Sequence, residues 1–227
     1  MSIVSAMSIN VEARPDRPVR GVRAAQAEQV ELTPPERIGL RGLLSLARPR
    51  QNEPARAPLI AVIGDRLGCL TALRSAPEAQ VFHSVHSVWG RHRAVVIGVD
   101  ISWLRTRKQL RASLRDIEVQ CAVLCGRLTR LEHIFLVLNG SPIISEDSVL
   151  RICDSVARRI HNRLEQACAR SIVITAILAE HCDDSDRLAA RVIARARERE
   201  SLDAGIALNW KEITNTSIGA AGLNAHL

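Results

Sequence analysis

The stretch GRLTRLEHIFLVLNG, residues 126–140, decides how the chain is read. Its apolar run, Ile134 to Leu138, stops at Asn139-Gly140, a strong turn signal. In front of the run lies a polar corner, Thr129-Arg130-Leu131-Glu132-His133, read as solvent-facing. Ile134, Leu136 and Leu138 alternate with Phe135 and Val137, so a strand here has two apolar faces. That pattern is expected where helices cover a sheet on both sides. The open question is whether the corner performs chemistry or only turns the chain.

Working outward, the same density of apolar residues persists from about residue 57. LIAVIG (59–64) is strand-like in composition, and AVVIGVDI (94–101) reads as a buried strand. Between 105 and 127, Leu110, Leu114, Ile117, Cys121 and Leu124 recur at helical spacing. Ser145 with Asp147 and Ser148 can cap a further helix, whose stripe is Val149, Ile152, Val156, Ile160 and Leu164. SIVITAILA (171–179) predicts another strand, residues 183–200 an exposed Arg-rich helix, and AGIALNW (204–210) a closing edge strand. Alternating strands and helices suit a sheet covered by helices, compatible with a ferredoxin-like α/β sandwich.

Residues 1–56 are rich in Pro, Arg, Ala and Glu and are expected to form a mobile N-terminal extension. Within them, PPERIGLRGLLSLARPR has the makings of a short basic amphipathic helix that docks on its own domain or on a partner. Residues 57–210 form the expected domain, and 211–227 a C-terminal tail.

The 227 residues are 47% apolar, enough for a substantial core, but with two Phe, three Trp and no Tyr the packing rests on aliphatic side chains. The net charge is +7, and Lys108 and Lys211 are the only lysines. A basic balance attracts nucleic acid or anionic surfaces. Aromatic stacking platforms are missing, however, and no zinc-finger or helix-turn-helix pattern occurs, so nucleic acid is not the expected partner. No apolar run approaches membrane-spanning length. The N-terminus does not read as a signal peptide. Cys69, Cys121, Cys125, Cys153, Cys168 and Cys182 lie scattered without a CxxC pair, as buried thiols in a reducing cytoplasm.

Three pieces fall in one order: DRLGCLTAL (65–73), VDISWLR (99–105) and RLTRLEHIFLVL (127–138). In this order the chain resembles the GGDEF family of diguanylate cyclases, bacterial signalling enzymes that make cyclic di-GMP. The family opening D-x-L-T-G-L-x-N-R is similar to Asp65 through Leu73, its D-I-D-x-F-K to Asp100 through Arg105, and its R-L-G-G-D-E-F to Arg127 through His133. Its later S-I-G-V-A strand is similar to Thr175 through Ala179. The resemblance implies a ferredoxin-like sandwich with a central, mostly antiparallel sheet. It also implies Mg²⁺ at Asp100 and a phosphate contact at Arg105. The corner would then correspond to the catalytic hairpin, with Thr129 and Arg130 at the two glycines, Leu131 at the metal acid, Glu132 at the next acid and His133 at the Phe.

Those replacements remove the chemistry. Thr129 and Arg130 add side chains where close approach to GTP needs none. Leu131 cannot hold a metal, and the guanine-reading loop between residues 105 and 127 is missing. Phosphoryl transfer depends on metal placement and charge neutralisation, so the expectation is a degenerate, non-catalytic regulatory or protein-interaction module without cofactor, working with a protein partner or as a homodimer. Mg²⁺ and GTP enter only if Asp100, Glu132 and a third acid such as Asp116 sustain a divergent cyclase. A third reading is a basic protein that binds nucleic acid or an anionic surface. The plainer readings make Asp100 a strand-end cap, Glu132 a solvated turn acid, and His83, His86 and His92 unrelated to metal. They also make Arg187, Arg191, Arg195 and Arg197 a solvated face.

Overall fold

In the computed structural model, which describes residues 58–198 and 204–224, the apolar runs all enter one sheet. Its strands are β1 (Ile60–Gly64), β2 (Ala79–Val81), β3 (Ala94–Val99), β4 (His133–Leu138), β5 (Val173–Leu178) and β6 (Gly205–Asn209). The helices are α1 (Thr71–Ser75), α2 (Arg107–Arg127), α3 (Glu146–Cys168), α4 (Ser185–Arg197), α5 (Trp210–Thr214) and α6 (Ile218–Asn224). The extension expected over 1–56, with its amphipathic helix, lies outside the described residues.

Every strand pairing is parallel, and the order across the sheet is β2-β1-β3-β4-β5-β6. This corrects the expected ferredoxin-like sandwich with its mostly antiparallel sheet; the α/β class stands. The physical reason lies in the connections. Asn139-Gly140 does not close a hairpin but leads into α3, and α2 and α3, of 21 and 23 residues, are long enough to carry the chain back across the sheet. Strands β3, β4 and β5 are buried along their whole length, as parallel strands with both faces covered should be. The three-residue strand β2 escapes sequence reading because AQV is too short to show a period.

Alternate residues of every strand except β2 feed two cores. Ile134, Leu136 and Leu138 join Leu110, Leu114, Val156 and Ile160 beneath α2 and α3. Phe135 and Val137 join Leu70, Leu73, Leu188 and Val192 beneath α1 and α4. Within the stretch read as a tail, Ile213 and Ile218 are buried in this second core.

The connections β3-α2-β4, β4-α3-β5 and β5-α4-β6 all step the same way across the sheet. Yet α2 and α3 cover one face and α4 the other, so the last crossover has the opposite hand to the two before it. About 98% of parallel crossovers are right-handed, and this sheet therefore contains the rare hand. His181, with φ 61°, sits in the turn that takes the chain over to the second face; histidine is among the side chains more often found in that conformation. At the far edge, α3 presses so closely on β6 that a Cβ on Gly205 would stand 2.6 Å from the Ala157 carbonyl carbon.

The side chains of Cys125 and Cys168 meet between α2 and α3, although all six cysteines read as separate thiols in the sequence. Their Cα atoms are 7.2 Å apart, wider than the roughly 4.4–6.8 Å usual for a disulfide. No helix among the described residues is long and apolar enough to cross a membrane.

Leu136 is fully buried in the central strand. Leu136→Ala should therefore lower unfolding free energy by about 2–5 kcal/mol, read from denaturant titration, whereas Arg130→Ala at an exposed position should leave it nearly unchanged.

Candidate functional site

In an open parallel sheet, ligands bind outside the carboxyl ends of the strands where the connections change direction. Here that point lies between β1, whose chain goes on to β2, and β3, whose chain goes on to β4. The two strand ends nearly touch. A Cβ on Gly64 would collide with the Gly98 carbonyl, and one on Gly98 would stand 2.5 Å from the Asp65 carbonyl oxygen. Gly64 also has φ +81°, a conformation that favours glycine. Both glycines are thus required for the contact that sets the width of this edge.

Beyond the glycines, a hydrogen-bonded chain laces three strand ends. The Asp65 carboxylate accepts from the Asp100 amide (2.7 Å). The Asp100 carboxylate accepts from the Asn139 side-chain amide (2.6 Å) and from the hydroxyl (2.7 Å) and backbone N–H (2.9 Å) of Ser102. Asn139 in turn accepts from the Ile101 amide (2.6 Å). The Ser102 hydroxyl first, then Asn139 and the Ser102 amide, hold the Asp100 carboxyl below the usual carboxylate range. Arg74 donates to the carbonyls of Gly64 (3.2 Å) and Asp65 (3.1 Å) and ties the first loop down.

A cleft of about 310 Å³ opens over this network. Its polar lining comes from Arg66, Asp100, Asn139, Glu180 and His181, with the thiols of Cys69 and Cys182 at one side. Burial, and then its neighbour Cys182, push the Cys69 thiol up to about 11, so at neutral pH it is not an activated nucleophile. Among the described residues, no three His, Cys, Asp or Glu side chains converge on a metal position. The cleft offers a charged, hydrogen-bonding bed for a small polar ligand, without a nucleophile paired to a base.

The positions singled out in the sequence separate in space. Asp100 lies at the carboxyl edge, immediately after β3. Glu132 and His133 lie at the amino edge, where Ala94 of β3 is level with His133 of β4. The six residues of β3 stand between them, about 20 Å at the rise of a strand. Asp116 is on the exposed face of α2. Arg105 is exposed, and its backbone N–H donates to Gln109 (2.9 Å) in the capping box of α2.

The corner also differs from its expected character. Thr129 and Arg130 are exposed, but Leu131 is buried among Leu128 and Ile134 rather than solvent-facing. Glu132 is not merely solvated; it forms an ion pair with Arg93. His133 is buried, stacks on Phe135 and contacts the Glu198 carbonyl at 3.2 Å through Nε2. His83 and His86 are exposed, while His92 is buried against Phe82 and contacts the Pro58 carbonyl (2.9 Å). Nor is the α4 face simply solvated. Arg195 is buried and pairs with Glu198, Arg197 reaches Glu78 (2.9 Å), and Arg187 reaches Asp184 (3.3 Å). Sequence reasoning missed Asp65 and Asn139 as partners of Asp100; the signal was their position, each directly behind an apolar run.

Two tests follow from these contacts. Asn139→Ala removes a hydrogen bond to the Asp100 carboxylate, so the Asp100 pKa should rise toward the ordinary carboxylate range in an NMR titration. The stability that Asp100 contributes is present above about pH 4 and is lost as pH falls through its lowered pKa; the substitution should shrink that acid-side loss. His92 and His133 act in a different window. Burial pushes both imidazoles down, so the fold should lose stability as pH falls below about 6.5, where the unfolded histidines take up protons. His133→Phe should flatten that slope in denaturant titrations between about pH 7 and 5, with His92 retaining the remainder; an unchanged slope would contradict the assignment.

Comparison with protein-family profiles, with curated proteins and with solved structures finds no match.

Proposed function

We propose that this chain is a non-catalytic regulatory or protein-interaction module of a reducing cytoplasm, which takes a small polar ligand in the cleft at the carboxyl edge of its sheet. The observation that carries the proposal is the separation of Asp100 from Glu132, the two acids on which a cyclase would depend. They stand at opposite ends of β3, about 20 Å apart by strand rise. Metal-assisted phosphoryl transfer needs its acids on one phosphate. Asp100 has already committed its carboxylate to three donors that shape the loops. The pairing of these two acids belongs to the GGDEF resemblance, whose implied antiparallel sheet is absent, and the ligand proposal rests on the cleft alone.

A partner-binding role draws support from the same edge. Trp103 and Ile143 are 60% and 56% exposed, on loops joined where the Ser141 hydroxyl donates to the Leu104 carbonyl (3.2 Å). Exposed apolar anchors beside a polar rim are the composition of a contact surface. A second copy of the chain or another protein would meet the module there, next to the cleft.

Purified protein incubated with GTP and Mg²⁺ should yield no cyclic di-GMP by chromatography. Product that forms in the wild type and disappears in Asp100→Asn would overturn the non-catalytic reading.

A further inference from the structure

On the opposite side of the molecule from α1 and α4, α2 and α3 enclose a second cavity, and its lining is basic. Arg107 donates to Ser148 (2.8 Å), and Arg159 donates to Glu118 (3.2 Å). Both pairs are separated by 41 residues, so the two helices run parallel, in one register. That register puts Arg107, Arg111 and Arg115 of α2 opposite Arg151 and Arg159 of α3 around a groove of about 310 Å³. The three α2 arginines recur every fourth residue, and at 1.5 Å per residue they span about 12 Å. Ser148 and Ser155 add hydroxyls, and Ile152 and Val156 add an apolar contribution.

Five guanidinium groups around so small a volume repel one another, and little in the protein offsets them. Arg159 is paired with Glu118. Arg107 meets a neutral hydroxyl and Arg151 a backbone carbonyl (3.2 Å). Among the described residues, no carboxylate is paired with Arg107, Arg111, Arg115 or Arg151. Guanidinium forks suit phosphate oxygens geometrically as well as by charge.

We infer that this groove binds a compact small molecule carrying two or more phosphate groups. Compactness follows from the volume of the groove, about 310 Å³, and from the acids at its α3 end. Glu146 and Asp147 stand in the first turn of α3 at one end, and Glu118 with Arg159 and Arg163 closes the other. A nucleic-acid strand running through would meet the carboxylates of Glu146 and Asp147 at one end, whereas at the other Glu118 is already shared between Arg159 and Arg163. The site is separate from the cleft: none of its lining residues reaches the carboxyl-edge network. It therefore goes beyond the proposed function, and either reading can fail alone.

The test uses the full chain with inorganic triphosphate as probe, followed by calorimetry and thermal unfolding. A ligand that binds only the folded state raises Tm. Triphosphate should do so at concentrations where sodium chloride of equal ionic strength does not. The double variant R111Q/R115Q should bind at least tenfold more weakly, while Asn139→Ala, in the cleft, should bind as the wild type does. R111K/R115K keeps the charge and loses the forks, so it should retain part of the affinity, and it serves as the readout if the neutral variant does not fold. An equal Tm shift with sodium chloride, or undiminished binding by R111Q/R115Q, would overturn the inference. So would single-stranded oligonucleotides whose affinity grows with length, or binding confined to vesicles of anionic lipid; either would assign the arginines to a polymer or to a membrane surface.

Discussion

The three central strands, β3, β4 and β5, have no exposed residue, and most of the architecture follows from that. A strand buried on both faces must satisfy its backbone within the sheet and needs a helical layer on each side. Nearly every polar group that could act on a ligand is then expelled to the ends of the strands or to the outside of the helices. Among the described residues, chemistry accordingly collects in two places: the carboxyl edge around Asp65, Asp100 and Asn139, and the outer groove between α2 and α3. Thr175 is the one hydroxyl left inside β5.

The two places differ in how their charge is balanced. At the carboxyl edge, carboxylates are matched to amides and hydroxyls within the chain, and the network holds its loops without help. In the α2/α3 groove, like charges accumulate, and among the lining arginines Arg159 alone is paired with a carboxylate, that of Glu118. The first arrangement is a finished scaffold that a small ligand can use. The second is incomplete electrostatically, and that asymmetry is why the groove, rather than the cleft, carries the more specific chemical inference.

Much of the strand inventory was legible from residues alone. Ile134 to Leu138, with apolar side chains on both faces, already carried the signature of a strand covered on two sides. Strand direction was not legible in the same way, because it depends on which element returns the chain; Asn139-Gly140 reads equally well as a hairpin turn and as the approach to a helix. The resemblance to a hairpin motif favoured the wrong alternative. Asp100 was visible as an acid closing a strand, but its partners come from strands 35 and 39 residues away, a spacing that no local pattern encodes. The arginine groove was hidden for a related reason. Arg107, Arg111 and Arg115 recur on one helix face in the sequence, yet only the register of α2 against α3 brings Arg151 and Arg159 to meet them.

The reversed hand of the last crossover bears on how the chain matures as it leaves the ribosome. α3 is laid down before β6, yet Ala157 packs directly against Gly205. Until that late segment emerges, part of the apolar stripe on α3 has no strand beneath it. Meanwhile α4 must swing to the far face and settle against α1. A nascent chain that ends before residue 205 would thus leave both faces incomplete, the α3 stripe without β6 and the second core without Ile206, Leu208, Trp210, Ile213 and Ile218. Transiently uncovered apolar surface of this kind is what chaperones recognise.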